Sequence, residues 1–179
     1  MKHVKTALAV WGGISGVLLL IACLYVLYNL TIGNTARFDA ATNKDVRFVL
    51  NWCELGDQRI KTVLHSYQSP HSLTGDHVDA YAIKVSHVHR SELEKPSHDY
   101  IKWTRGDNLR GVARQGVALI ASFSDLHELQ WFPSLEQLLS DTIYVTVWRI
   151  ELHGDRPAAA QVIFVNPTER IVYYASVKT

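Results

Sequence analysis

The chain has 179 residues, and its 18 lysine and arginine residues nearly balance its 17 aspartate and glutamate residues, for a formal net charge of +1 at pH 7. So balanced a charge gives no electrostatic attraction for a polyanion, and we expect no nucleic-acid partner. Only two cysteines occur, and one lies in the apolar N-terminal segment, so no intramolecular disulfide is available to the rest of the chain.

The N-terminal segment predicts a membrane-spanning helix. No Asp, Glu, Lys, Arg or His occurs from Thr6 to Ala36. As a helix, the stretch from Ala7 to Tyr28 would reach roughly 33 Å, enough to cross a hydrocarbon core of about 30 Å. We therefore assign a signal-anchor helix to residues 7–32 and expect it to hold the chain in a lipid bilayer.

A lipoprotein signal is the alternative for this segment, because the tetrapeptide ending at Cys23 fits a bacterial lipoprotein cleavage site. Cleavage there would make Cys23 the lipidated first residue. A lipid-anchored chain normally continues as a polar tether, whereas Leu24 to Tyr28 stays apolar. That continuation favours an uncleaved span.

The charges before the span indicate its orientation. Lys2 and Lys5 lie in a short tail, residues 1–6, and such a tail normally stays cytoplasmic. We expect a single-pass protein of the inner (plasma) membrane whose C-terminal part is exported to the periplasm or the extracellular side. Residues 33–38 are interpreted as a juxtamembrane linker, and residues 39–179 as one exported domain, long enough to bury its own core.

The first element of that domain is predicted as a helix from about Asp39 to Leu55 with two apolar lines. The first line is Val46, Val49, Leu50 and Cys53, and the second is Phe48, Trp52 and Leu55. Two lines are more than a surface helix needs. Either the helix is sandwiched in the core, or one line meets a partner subunit.

A β-hairpin is predicted next. In HVDAYAIKVSHVH, Tyr81, Ile83 and Val85 alternate with smaller or polar residues, which is typical of a strand. The preceding QRIKTVLHSYQS is ambiguous, because its apolar residues also fit helical spacing. We predict a strand there, since a hairpin partner would explain the turn residues from Pro70 to Gly75.

Helices and a meander complete the expected fold. Asp107 or Asn108 is expected to cap a helix running through GVARQGVALIASF, and PSLEQLLSD predicts a short helix with Ser134 to Leu139 inside it. The runs TIYVTVWRIELHG, AAAQVIFVN and RIVYYASV predict a three-strand antiparallel meander. The expected class is α+β, with a curved antiparallel sheet packed against helices, by analogy of fold with cone-shaped nuclear-transport-factor-like or cystatin-like architectures.

The first strand of the meander reads as apolar on both faces. Strict alternation places Ile143, Val145 and Val147 on one face, and Tyr144, Trp148, Ile150 and Leu152 on the other. The predicted helices suffice to cover one face, so we expect part of the other to contact a partner. Tyr144 and Trp148 thus join Phe48, Trp52 and Leu55 as interaction candidates.

Histidine is abundant, with nine residues in the chain, so a metal site has to be weighed. In a strand, His87 and His89 would project from the same face, and His98 could fold back as a third ligand. The intervening loop is long and polar, and H-x-H alone is a weak pattern. We therefore expect no metal and no cofactor, and interpret sequence-adjacent pairs such as His77 with Asp79 as surface polar clusters.

Two functional hypotheses follow. The favoured one is a non-enzymatic interaction or assembly scaffold, tethered to the membrane, that binds other envelope proteins or itself; no nucleophile elbow, phosphate loop or zinc-helix motif occurs in the exported part. The alternative is a membrane-bound, hydrolase-like enzyme with a pocket inside the curved sheet. Its candidate pocket or metal residues are His65, Asp79, His87, His89 and His98.

Overall fold

The computed structural model describes residues 2–31, 34–72, 74–95, 101–124 and 126–179. Its contacts divide the chain into two compact units, Met1–Thr35 and Ala36–Thr179. The first unit is built on one helix, α1 (Lys2–Thr31). Within α1, the stretch Trp11–Tyr28 is long and apolar enough to cross a membrane. The prediction of one such N-terminal helix is therefore confirmed.

The second unit is α+β, as predicted. Its helices are α2 (Arg47–Trp52), α3 (Arg90–Leu93), α4 (Gly111–Ala121) and α5 (Leu135–Leu138). Its strands are β1 (Arg37–Phe38), β2 (Ile60–Gln68), β3 (His77–Val85), β4 (Thr104–Arg105), β5 (Tyr144–His153), β6 (Arg156–Asn166) and β7 (Ile171–Lys178). All seven strands form one sheet in the order β1-β2-β3-β7-β6-β5-β4, and every neighbouring pair is antiparallel.

Both the predicted hairpin, β2–β3, and the predicted meander, β5–β6–β7, are present. The β5–β6 turn uses Gly154 at φ 62°, a backbone conformation that glycine adopts without a Cβ penalty. β1 lies in the segment assigned to the linker, and it pairs with the end of β2. β7 joins the two halves of the sheet, because it pairs with β3 on one side and β6 on the other.

One face of the sheet, here called face A, is covered mainly by α4, with α5 and the turn before it. Its buried strand residues include Ala82, Val162, Phe164 and Ala175, which pack against Val117 and Ile120 of α4. A Cβ on Gly116 would lie only 2.7 Å from Ile150 Cδ1, so the absence of a side chain lets α4 approach β5 closely. Face A and α4 thus form the first core.

The opposite face, face B, is covered over one half by α2 and α3. Val46, Val49 and Leu50 are fully buried there against Ile83 and Ile163. Helices therefore pack on both faces of the sheet. The two apolar lines of α2 both belong to this second core, in which Phe48 and Trp52 are partly buried at its border.

α2 is much shorter than the helix predicted from Asp39 to Leu55. Asp39 has φ 46°, outside the helical region, and its backbone amide donates to the Ser66 carbonyl. The Asp45 carboxylate accepts hydrogen bonds from the Thr42 amide and hydroxyl, which fixes a turn before the helix. Local carboxylate bonds of this kind compete with helix formation.

The boundaries of α4 and α5 also differ from the prediction. Arg110 occupies the N-cap of α4 without a capping side chain, while Asp107 pairs with Arg105. Ser134 lies outside α5 as its N-cap, in a capping box with Gln137. Ser134 therefore starts the short helix instead of lying inside it.

A β-bulge in β5 changes the predicted faces of that strand. The register with β6 shifts between Val147 and Arg149, so Trp148 is the extra residue. Trp148 lies on face B as expected, but Ile150 packs into the core of face A. Strict alternation was wrong for Ile150 because it assumed an uninterrupted ladder.

Candidate functional site

The five interaction candidates separate into core and surface. Leu55 and Tyr144 are buried, and the Tyr144 hydroxyl donates to the Glu94 carboxylate. Phe48 and Trp52 contact the aromatic residues of face B. Trp148 is the exposed member, with 44% of its surface accessible.

Trp148 forms a flat aromatic platform with Trp52. Their ring centroids are 4.9 Å apart and their planes differ by 3°. Trp52 is braced in turn by Tyr174, at a centroid distance of 6.3 Å. Leu152 is also exposed, but alternation from Ile150 places it towards face A, on the other side of the same strand. Trp52 thus packs against one side of the Trp148 ring and leaves the other side of that ring accessible.

The strand that carries this platform has an open outer edge. β4 pairs only with Tyr144 and Val145 of β5. Among the described residues, no strand pairs with the outer side of β5 from 146 to 153. An edge strand of this length presents backbone N–H and C=O groups that can pair with another chain.

The predicted histidine pocket is dispersed in the structure. His65 lies towards face A, with its ring 5.3 Å from Trp131 and its Nδ1 3.6 Å from Asp39 Oδ1. His87 and His89 follow the end of β3, with rings 6.2 Å apart. Asp79 lies on face B, and His98 lies outside the described residues. The described residues contain no group of three or more potential metal ligands.

A different polar cluster occupies the half of face B that α2 and α3 leave uncovered. We call this part the open half of face B and define it by His77, Asp79, Gln161 and Ser176. Asp79 of β3 lies directly opposite Ser176 of β7, and Ser176 lies opposite Gln161 of β6. Three neighbouring strands therefore bring these side chains together.

A hydrogen-bonded chain runs through this cluster. His77 Nδ1 lies 2.8 Å from the Gly75 carbonyl oxygen, and His77 Nε2 lies 2.9 Å from Ser176 Oγ. A carbonyl oxygen only accepts, so Nδ1 carries the proton that it donates. In the neutral imidazole Nε2 is then an acceptor, and the Ser176 hydroxyl donates to it. The side-chain amide of Gln161 lies 3.4 Å from Ser176 Oγ and donates to it.

Burial perturbs the acidic groups of this face. It raises the pKa of the Asp79 carboxyl, and the neighbouring His77 and His71 lower it by a smaller amount. One oxygen of Asp79, Oδ1, is buried without a hydrogen-bond partner. Burial also raises the pKa of Tyr81 and of Tyr174 to about 12. Burial thus disfavours the ionised forms of all three side chains on this face.

A cavity of about 290 Å3 opens beside the cluster. His77, Ser176 and Gln161 line it together with Arg149, Glu151 and Lys178. A second cavity, of about 550 Å3, lies near α5 and is bordered by Trp131 and Tyr173. His65, Asp79, His87 and His89, the four predicted pocket residues that the structure describes, line neither cavity.

Sequence reasoning missed Ser176 and considered for His77 only partners that are near in sequence, such as Asp79. The two-residue period of a strand places His77 and Asp79 on one face of β3, and this could be predicted from the sequence. The partner serine lies 99 residues away in sequence and becomes adjacent only through the β3–β7 pairing. That pairing depends on the order of the strands in the sheet, which the local sequence pattern does not predict.

Comparisons of this chain with protein-family models, with curated proteins and with solved structures find no match.

Proposed function

We propose that this protein is a single-pass, membrane-anchored interaction protein whose exported domain binds another envelope protein or a second copy of itself. In this proposal α1 lies in the inner membrane with its N-terminus in the cytoplasm, and residues 36–179 lie on the outer side. The binding surface is formed by Trp148 and the open edge of β5, which continues to Leu152. The observation that carries the proposal is the exposed Trp148 ring, supported by Trp52 beside an unpaired strand edge.

The chemistry of this surface suits a protein partner. Tryptophan is enriched among the residues that dominate binding, and its truncation at an interface commonly costs about 2 kcal/mol or more. The adjacent edge offers main-chain hydrogen bonds to an extended segment of the partner. Arg149 and Glu151, which form an ion pair with a 2.6 Å separation, would flank the apolar contact with polar groups.

The curvature of the sheet expected from the sequence supports such a binding surface. Extra residues interrupt the ladders once in β5, once in β6 and twice in β2. Because a bulge bends its strand and increases its twist, these shifts favour a curved sheet. Curvature would tilt the outer part of β5 away from the core and present Trp148 to a partner.

A crosslinking experiment tests the proposal. A photoreactive amino acid placed at Leu152 should give a discrete crosslinked product in intact cells, identified by mass spectrometry as an envelope protein or a dimer of this chain. The same amino acid at Val112, which is 44% exposed on α4, is the matched control and should give no such product.

The role of the aromatic platform is tested in the same cells. Trp148→Ala should abolish the crosslink from position 152. Phe38→Ala should preserve it, since Phe38 is 53% exposed and contacts one aromatic ring, Tyr67, at the other edge of the sheet. Equal crosslinking from positions 112 and 152, or persistence in Trp148→Ala, would contradict the proposal.

A further inference from the structure

We propose that Ser176 is the nucleophile of an esterase site on the open half of face B, with His77 as its general base and short acyl esters as its substrates. This inference goes beyond the interaction function and uses no residue of the Trp52–Trp148 platform. It starts from the hydrogen-bonded chain that links Gly75, His77 and Ser176.

The chain has the direction that a nucleophilic serine requires. The Gly75 carbonyl accepts from His77 Nδ1 at 2.8 Å, which orients the imidazole and leaves Nε2 as the base. Nε2 lies 2.9 Å from Ser176 Oγ, within the range for proton transfer. Nucleophile, base and orienting group are thus arranged as in hydrolytic triads, with a backbone carbonyl in the third place.

The backbone positions the orienting carbonyl. Gly75 has φ 82°, a conformation that residues with a side chain rarely adopt. A Cβ there would also lie 3.3 Å from Lys178 Nζ. Glycine therefore allows the chain to turn so that its carbonyl meets an imidazole only two residues further on.

Two further groups fit the charges that develop during acyl transfer. The Asp79 carboxylate, with Oδ1 buried and unpartnered, interacts electrostatically with His77 and would stabilise the imidazolium. Gln161 Nε2 lies 3.4 Å from Ser176 Oγ, so an N–H donor is available beside the atom to which the attacked carbonyl becomes bonded. Such a donor is suited to an oxyanion.

The reaction follows from these positions. Ser176 Oγ bonds to the ester carbonyl carbon while its proton moves to His77 Nε2. The bond from that carbon to the alkoxy oxygen then breaks, and the proton passes from Nε2 to the departing alcohol. Water attacks the resulting acyl-serine and gives one proton to Nε2, and the carboxylic acid leaves as Ser176 recovers that proton.

The cavity limits the substrate. At about 290 Å3 it lies at the lower end of the range for small-molecule sites. A short acyl group therefore fits better than a long chain. Arg149, Glu151 and Lys178 line the same cavity and suit a substrate with a hydrogen-bonding group beyond the ester.

The test uses the full chain in mild detergent. A fluorophosphonate probe should label Ser176, as located by peptide mass spectrometry, and p-nitrophenyl acetate should be hydrolysed. Ser176→Ala and His77→Gln should each lower the hydrolysis rate by about 100-fold or more, since a positioned base contributes about 10²–10⁴-fold. The glutamine can still accept a hydrogen bond from Ser176 but provides no comparable base.

Ser66→Ala is the matched control. Ser66 is as buried as Ser176, at 3% exposure, and lies on the same face, but it accepts from the Ala41 amide instead of contacting an imidazole. Ser66→Ala should keep full labelling at Ser176. Thermal melts establish that each variant is folded, and His77→Gln decides the matter if Ser176→Ala does not fold. Absence of label at Ser176, or an unchanged rate in folded His77→Gln, would overturn the proposal.

Discussion

Asp79 shows how a single buried carboxylate links stability to pH. Its folded pKa is raised above the ordinary value of 3.8, chiefly by burial. The native state therefore holds the proton more tightly than the unfolded chain. The protonated carboxyl contributes stability that is fully present below pH 3.8 and is lost as the pH rises through the raised pKa. At neutral pH, ionised Asp79 lowers the free energy of unfolding.

We predict that Asp79→Asn stabilises the domain at pH 7. Burial disfavours the ionised carboxylate, and the uncharged amide avoids this desolvation penalty. The expected gain of about 1 kcal/mol corresponds to a rise in Tm of about 2 to 4 °C for a domain of this size. Thermal melts of both proteins between pH 3 and 7 should show the advantage of the variant shrinking as the pH falls.

Asp76→Asn is the internal control, because hydrogen bonds from Thr74 and Ser72 lower the pKa of this carboxyl. Loss of the Asp76 carboxylate should lower the free energy of unfolding at pH 7, whereas Asp79→Asn should raise it. A destabilised Asp79→Asn at neutral pH would contradict the account of Asp79.

At the scale of secondary structure, α2 and β5 show what a local pattern can and cannot predict. The apolar spacing of Val46, Val49 and Leu50 correctly identified a buried helical face, because burial of one side imposes its period on the sequence. The same pattern could not fix the start of α2, because the turn held by Asp45 precedes the helix and the Asp39 amide bonds to the distant β2. Nor could alternation locate the bulge at Trp148, since a bulge is defined by the partner strand.

The contribution of the helices to each face was predictable only in part. Both apolar lines of α2 were recognised, and part of the second face of the sheet was expected to contact a partner. The chain itself covers half of that face, through residues such as Leu50 and Leu93. The candidate interaction surface is therefore limited to Trp148 and its neighbours. The polar cluster on the open half of face B could not be predicted, because it depends on the pairing of β7 with β3.

We predict that Trp52 and Trp148 differ sharply in their effect on folding. Trp52 packs against Phe48, Tyr174 and the core of face B, so Trp52→Ala should cost about 3 kcal/mol of unfolding free energy. Trp148 contributes mainly its stack on Trp52, so Trp148→Ala should cost only about 1 kcal/mol. Denaturant titrations of the two variants provide the measurement. A larger loss for Trp148→Ala than for Trp52→Ala would be inconsistent with the observed packing.

For the whole molecule, the apolar helix sets where the α+β unit can work. About twenty apolar residues hold a helix in a bilayer without any covalent lipid. Cys23 lies within Trp11–Tyr28, the stretch that satisfies the requirement for a span. Its thiol is therefore dispensable for anchoring if the helix stays uncleaved.

We predict that Cys23→Ala leaves the protein in the membrane fraction after an alkaline carbonate wash. A reporter enzyme that is active only outside the cytoplasm should be active when fused after Thr179, as expected from Lys2 and Lys5 on the inner side. Mass spectrometry of the purified protein should find the N-terminal residues present. Recovery of a diacylated N-terminal Cys23 would show the lipoprotein alternative instead.

The position of β7 determines when this domain can acquire its structure. β7, which lies between β3 and β6 in the sheet, is the last of the seven strands to be synthesised. Until residues 171–178 have been synthesised, no strand connects β1–β3 with β4–β6, and both apolar cores lack the residues that β7 contributes to them. The seven-stranded sheet can therefore close only after the last of its strands has been synthesised, so its folding is completed late in translation.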